Sequence, residues 1–301
     1  LAAVLASAAF FLQARDAIRL GGHGDVIGAL PVTLAMLMAI LFVGLRRSQT
    51  STPNAVPLGT LALVAGTALA YITVAIPLQL EKHWITVGWA LEGAALAWLY
   101  RRVPHRGLLL AAGALCAAVF VRLALNPAVL TYVPRCDVRI WNWFLYTYVI
   151  AAVSFFFAAR MLASADDRLL AGWPRLSTVL PAAGTILLWL LLNIEIADYF
   201  ATGSTIEFNL HANIGQDLTY TLGNALFAVT LLVAGIALKS KGARLAAIVL
   251  LSLMILKAFF LDLPTLTGLY QIASVLGLFF CLALAAFALQ KFVLKSAPEL
   301  E

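Results

Sequence analysis

The sequence predicts an all-α fold, a polytopic transmembrane helical bundle of about ten spans, and three observations carry that expectation. The first is composition: 63% of the 301 residues are hydrophobic and 11% are charged, with a mean hydropathy of +0.98. Soluble domains are roughly half apolar and one quarter charged, so a water-facing surface for this chain would lack polar residues. The second is run length: the apolar residues come in stretches of about 20, the length that carries a helix across about 30 Å of hydrocarbon. The third is continuity: the stretches do not alternate apolar with polar residues, which excludes a closed β-barrel.

The runs fall at 1–19, 26–45, 58–78, 83–100, 107–125, 141–162, 176–199, 217–238, 243–262 and 268–291. Charge, proline and glycine bound each of them. The first closes before Gly21-Gly22-His23-Gly24-Asp25, the second at Arg46-Arg47, the third near Pro77, the fourth at Arg101-Arg102. The fifth opens at Gly107, the sixth closes at Arg160, the seventh opens after Arg175, and the eighth closes at Lys239. The ninth reaches Asp262 and the tenth ends at Lys291. Pro77, Pro181 and Pro264 lie at or near run ends, where proline starts or stops a helix. Trp84, Trp98, Tyr100, Trp141, Trp143 and Tyr199 also sit at run ends, as expected of aromatic side chains at the membrane–water boundary.

The formal net charge is +6. Its distribution points to membrane orientation and away from nucleic acid. Thirteen of the 20 Lys and Arg residues lie in the even-numbered connections and the C-terminal tail, and five lie in the odd-numbered connections. Positively charged loops stay in the cytoplasm, so both ends of this segment are expected there. The chain opens on Leu inside an apolar run, and we read 1–301 as a single transmembrane domain of a longer protein. Cys116 and Cys281 lie in apolar runs and Cys136 lies alone in a loop, a pattern with no disulfide framework or zinc spacing. We expect no metal and no cofactor, and membrane lipids as the surrounding partners.

An internal repeat is visible. Thr86-Val-Gly88-Trp-Ala90-Leu91 matches Thr221-Leu-Gly223-Asn-Ala225-Leu226 at an offset of 135, and the same offset pairs Arg106-Gly107 with Lys241-Gly242 and Arg122 with Lys257. The sequence therefore predicts a parallel helix-hairpin repeat, 83–127 and 218–262, related about an axis along the membrane normal as in some transporters.

Seven residues form the candidate polar site: Glu92, Arg122, Asn193, Glu195, Asp198, Lys257 and Asp262. Arg122 and Lys257 stand near the far ends of their helices. Glu195 and Asp198 are three apart and share one helix face. Glu92 sits mid-span, where an ionised carboxylate is expensive unless paired or hydrated. These residues are expected to converge on an outward-facing cavity in which the cations hold an anionic group. The plainer alternative is that Arg122 and Lys257 pair with the acids of the seventh run and only fix helix packing. The outer connection 200–216 adds Glu207, Asn209, His211, Asn213 and Gln216, followed by Asp217. Gly88, Gly93, Gly223 and Gly277 are expected to allow close helix packing. No nucleophile elbow, phosphate-binding loop or zinc-protease signature is present.

Two stretches resemble a known family. One is Trp89-Ala-Leu-Glu92-Gly-Ala-Ala-Leu-Ala-Trp98 with the basic residues, Gly107 and Arg122 that follow. The other is Lys257-Ala-Phe-Phe-Leu-Asp262-Leu with Gly268-Leu-Tyr270 and Ser274-Val-Leu-Gly277. Together they resemble the bacterial predicted multi-pass membrane proteins known as domain of unknown function 2339, with this chain as a C-terminal portion. Gln271 and Val275 depart from the pattern, standing where a cation and an aromatic are expected. The resemblance implies a bacterial inner-membrane location and supplies no catalytic residue.

Three functions follow as expectations. The first is binding or translocation of an anionic envelope lipid or small solute. The second is a membrane-embedded transferase using a lipid-linked donor, with Glu92, Glu207, His211 and Asp217 as acid–base groups. The third is a structural or assembly protein whose polar residues only pack helices.

Overall fold

The structure, a computed structural model, describes residues 2–20, 28–51, 57–79, 82–131, 140–163, 167–169, 172–201, 203, 206, 214–258 and 260, with short pieces between 272 and 283. Its long elements are helices: α1 Ala2–Leu20, α2 Ala29–Ser51, α3 Leu58–Gln79, α4 Lys82–Arg102, α5 Arg106–Ala124, α6 Trp143–Leu162, α7 Leu176–Phe200, α8 Ile214–Ala237 and α9 Lys241–Lys257. A short 3-10 helix, Pro127–Thr131, follows α5. No strand occurs among the described residues, where the only β pairing is an isolated bridge between Arg168 and Arg175.

Six of these helices, α2, α3, α5, α6, α7 and α8, are long and apolar enough to cross a membrane. Two of the others, α4 and α9, differ for identifiable reasons. α4 carries Lys82, Glu92, Arg101 and Arg102, which lower its hydropathy. α9 has 17 residues over its regular length. Outward-facing positions are apolar as well: Met36, Ile40, Leu110, Val153, Leu226 and Leu245 are all exposed. Such a surface suits hydrocarbon, where exposing Leu costs nothing and exposing backbone polar groups costs several kcal/mol (about 4–8 for transfer from water to an alkane).

The chain divides into two compact units. One comprises Leu1–Pro134 with Leu145–Leu188, the other Arg135–Phe144 with Trp189–Glu301. In the first, α2 packs on α3 through Leu34, Ala35 and Met38 against Val64, Ala68 and Tyr71. The Tyr71 hydroxyl donates to Ser7 Oγ at 2.8 Å and ties α3 to α1. α4 packs against both α3 and α5. Ala90, Ala97, Ala112 and Val119 are almost completely buried on that hairpin. Small side chains let the two backbones approach, which is how helices gain contact in a solvent with no hydrophobic drive of its own. A Cβ at Gly93 would come within 3.0 Å of Cys116 Sγ, so the expected close-packing role of this glycine holds.

Helix ends in the first unit have identifiable partners. His105 caps α5, its Nδ1 accepting from Gly107 N at 3.1 Å. At the other end of α5, the Tyr148 hydroxyl of α6 donates to the Leu123 carbonyl at 2.7 Å, a last-turn oxygen without an intrahelical donor. The start of α7 is held from a distance: the buried Asp167 accepts from Leu176 N through its carbonyl and from Ser177 N through its carboxylate.

The second unit centres on the α8–α9 hairpin, whose core is Ala225, Ala228, Val229 and Leu232 against Ala247 and Leu251. The turn is tight. Lys239 adopts a left-handed φ of 53°, and Ser240 caps α9 by accepting from Ala243 N at 3.3 Å. The C-terminal half of α7 lies against α8 at Gly223, where a Cβ would meet Ile196 at 3.1 Å.

Candidate functional site

Each hairpin places its cation on a threonine. In the first unit Arg122, in the last turn of α5, donates from Nε to Thr86 Oγ1 of α4 at 2.9 Å. In the second unit Lys257, in the last turn of α9, donates from Nζ to Thr221 Oγ1 of α8 at 2.7 Å. Nζ also lies 3.5 Å from the Asp217 carbonyl. Both threonines are buried, and both contacts span 36 positions of sequence. The offset of 135 that relates Thr86 to Thr221 also relates the capping residues His105 and Ser240 and the helix ends Arg102 and Ala237. The partners come from the sequence motif itself, yet periodicity assigns them no contact. A threonine 36 residues away on a neighbouring helix carries no local signal.

The acids of α7 gather elsewhere in the second unit. Asn142, just before α6, donates from Nδ2 to Glu195 Oε2 at 3.0 Å and to Asp198 Oδ2 at 3.4 Å. One amide thus bridges two carboxylates, and sequence reasoning missed it. Asp198 and Asn142 are buried and Glu195 is half-buried; Glu195 Oε1 has no hydrogen-bond partner among the described residues. Ile140, two residues upstream, is held at a φ of 75°, a conformation β-branched side chains avoid, so the approach to Asn142 is a constrained turn.

Asn193 does not join that cluster. Its Oδ1 accepts from Asn224 Nδ2 at 3.0 Å, and its Nδ2 donates to Asn224 Oδ1 at 3.3 Å and to the Trp189 carbonyl at 2.8 Å. Trp189 Nε1 adds a 2.6 Å bond to Asn224 Oδ1. This reciprocal amide pair joins α7 to α8 with its donors and acceptors matched, which is the chemistry of a helix clamp.

Glu92 is 5% exposed and lies midway along α4. Its Oε1 accepts from the Thr73 hydroxyl of α3, while its Oε2 is buried with no hydrogen-bond partner among the described residues. The Leu69 carbonyl one turn back, 3.0 Å from the same hydroxyl, is an alternative acceptor for its single proton. Leaving a buried acceptor unmatched costs about 1–3 kcal/mol, so this oxygen is a site in search of a donor. Glu92 and Thr73 line a cavity of about 930 Å³ between α1, α3, α4 and α5.

Comparison with protein families gives a match to a predicted membrane protein family, DUF2339, over residues 1–214 and 200–292. The chain belongs to the DUF2339 family. Neither the comparison with curated proteins nor that with solved structures found a match. For this DUF2339 chain, then, chemistry has to be read from its own side chains. Asp262, the seventh candidate, lies outside the described residues, as do Glu207, His211, His23, Asp25 and Pro264. Among the described residues no group of three His, Cys, Asp or Glu side chains could hold a metal ion. What the first unit of this DUF2339 chain offers is an ordered Arg122 and one deeply buried carboxyl facing an apolar cavity; what the second offers is an ordered Lys257 and a carboxylate pair on an amide.

Proposed function

We propose that this chain is a protein of the bacterial inner membrane with about ten spans, built on a duplicated helical hairpin, that binds an anionic envelope lipid or solute through the hairpin cations. The hairpins are 83–127 and 218–262, and both ends of the segment are cytoplasmic, as the loop cations favour. The ten-span reading is supported by the packing of α1 on α2, of α4 on α3 and α5, and of α9 on α8. α4 buries its ionisable Glu92 inside the unit, which is how a helix of modest hydropathy is accommodated in a bilayer.

The observation that carries the functional reading is the twinned cation–threonine contact. Arg122 and Lys257 each stand sixteen residues after the first residue of their helices, about 24 Å along the axis. In hydrocarbon about 30 Å thick, that is the level at which a long basic side chain reaches lipid phosphates. A threonine hydroxyl accepts a hydrogen bond without neutralising charge. The contact therefore orders the cation, and an anionic head group that joins it meets a charge already held in place, at little further entropic cost.

Native mass spectrometry of the full chain with phosphatidylglycerol and phosphatidylcholine tests this. Arg122→Gln and Lys257→Gln are each expected to weaken retention of the anionic lipid about tenfold, or about 1.4 kcal/mol, while Arg122→Lys keeps most of it. Melting temperatures should change little. Unchanged lipid retention together with a lower melting temperature would show that the cations only latch their hairpins.

A further inference from the structure

The cavity beside Glu92 belongs to the first unit alone and is separate from the hairpin cations. It runs along α3 from Gly59 to Val74, fifteen residues or about 22 Å, is bounded by α1, α4 and α5, and opens outward past exposed wall positions such as Leu63 and Ala70. Phe11, Leu63, Ala70, Leu96 and Leu115 are representative of its walls. At one end, beside Gly59, stands the His105–Gly107 turn; toward the other, Glu92 and Thr73 form a small polar spot. The shape is that of an extended aliphatic chain. The volume, about 930 Å³, lies at the upper end of the range of ligand pockets lined by apolar groups with a few placed polar atoms.

The polar spot narrows the ligand further. Glu92 Oε1 is satisfied by Thr73, and Oε2 is a single buried acceptor with no partner among the described residues. An alkane or a plain acyl tail would fill the volume and leave that oxygen unmatched. An ammonium group brings three donors to one open acceptor and would leave two of its own unmatched in apolar surroundings. A hydroxyl brings one donor to one acceptor. We propose that this cavity binds a long-chain aliphatic or isoprenoid alcohol, with its hydroxyl donating to Glu92 Oε2 and its chain lying along α3 toward the His105–Gly107 turn.

The test uses the full chain in nanodiscs with a diazirine-bearing hexadecanol as photoprobe, and hexadecanol, hexadecane and hexadecylamine as competitors. Adducts are expected on the α3 and α5 peptides that line the cavity. Hexadecanol should displace the probe at a concentration at least tenfold lower than either hexadecane or hexadecylamine. Glu92→Leu should erase the preference for the alcohol over the alkane. Glu92→Gln should keep it, because a rotated amide presents a carbonyl to the ligand and its NH₂ to Thr73. Ala70→Phe, at an exposed wall position that leaves Glu92 intact, should block labelling, and so decides the matter even if Glu92→Leu fails to fold. Equal competition by alkane and alcohol would reduce the cavity to a lipid-filled groove and overturn the proposal. So would stronger competition by the amine, or labelling unaffected by Ala70→Phe.

Discussion

Gly235→Val is expected to disrupt the α8–α9 hairpin, at a cost of about 3 kcal/mol or more. Gly235 lies in the last turn of α8, where the chain is about to reverse, and its carbonyl accepts from Ser240 N at 2.8 Å across the turn. A Cβ there would stand 2.9 Å from the backbone nitrogen of Arg244 and 3.1 Å from Ala243 Cβ. The first neighbour is backbone on the opposing helix and cannot rotate away, so two further methyl groups force the helices apart. That separation pulls Ala247 and Leu251 from Ala228 and Leu232 and lengthens the reach of Lys257 to Thr221. Thermal unfolding of the purified variant should show a lower and broader transition, or no folded protein at all. Gly44→Ala is the control: a Cβ there meets nothing within 4 Å, and alanine in an exposed helix position is neutral or stabilising by up to about 1 kcal/mol. Equal behaviour of the two variants would mean that hairpin closure does not depend on this approach.

Asn224→Leu is the second large effect, expected at about 2 kcal/mol. Asn224 is buried and satisfies two partners on α7 at once, Trp189 and Asn193. Leucine fills similar volume yet strands the indole N–H and the Asn193 carbonyl, each of which loses about 1 kcal/mol of hydrogen bonding within a membrane protein. The pair should behave as a unit. Asn193→Leu with Asn224→Leu should cost clearly less than the sum of the two singles, with a coupling of about 1 kcal/mol. Additive losses in a double-mutant cycle of unfolding free energies would show that the two amides act independently.

Much of the helical architecture was legible because the signal is physical length. The run 58–78 became α3, Leu58–Gln79, and 107–125 became α5, Arg106–Ala124, since prolines near both ends of the first and Arg106-Gly107 at the start of the second mark where the apolar runs stop. The chemistry was legible only in part. The expense of burying Glu92 could be read from its position, but its partner Thr73 lies 19 residues away on another helix, where no periodicity points to it. The shared face of Glu195 and Asp198 was foreseeable from their spacing. Asn142, which bridges them from 53 and 56 residues upstream, sits in an irregular lead-in whose geometry depends on Ile140 at positive φ, and apolar patterning says nothing of such a turn. Thr86 and Thr221 are intermediate: the 135-residue offset marked them as equivalent, and only the structure shows that each one holds the cation of its own hairpin.

The most direct measurement of the central claim is a cryo-EM map of the protein in nanodiscs of anionic lipid, inspected at the ends of α5 and α9. Head-group density is expected within hydrogen-bond distance of the Arg122 guanidinium and of the Lys257 ammonium, with the Thr86 and Thr221 contacts kept. A map in which both cations are enclosed by protein groups alone, with no lipid density beside either, would contradict it.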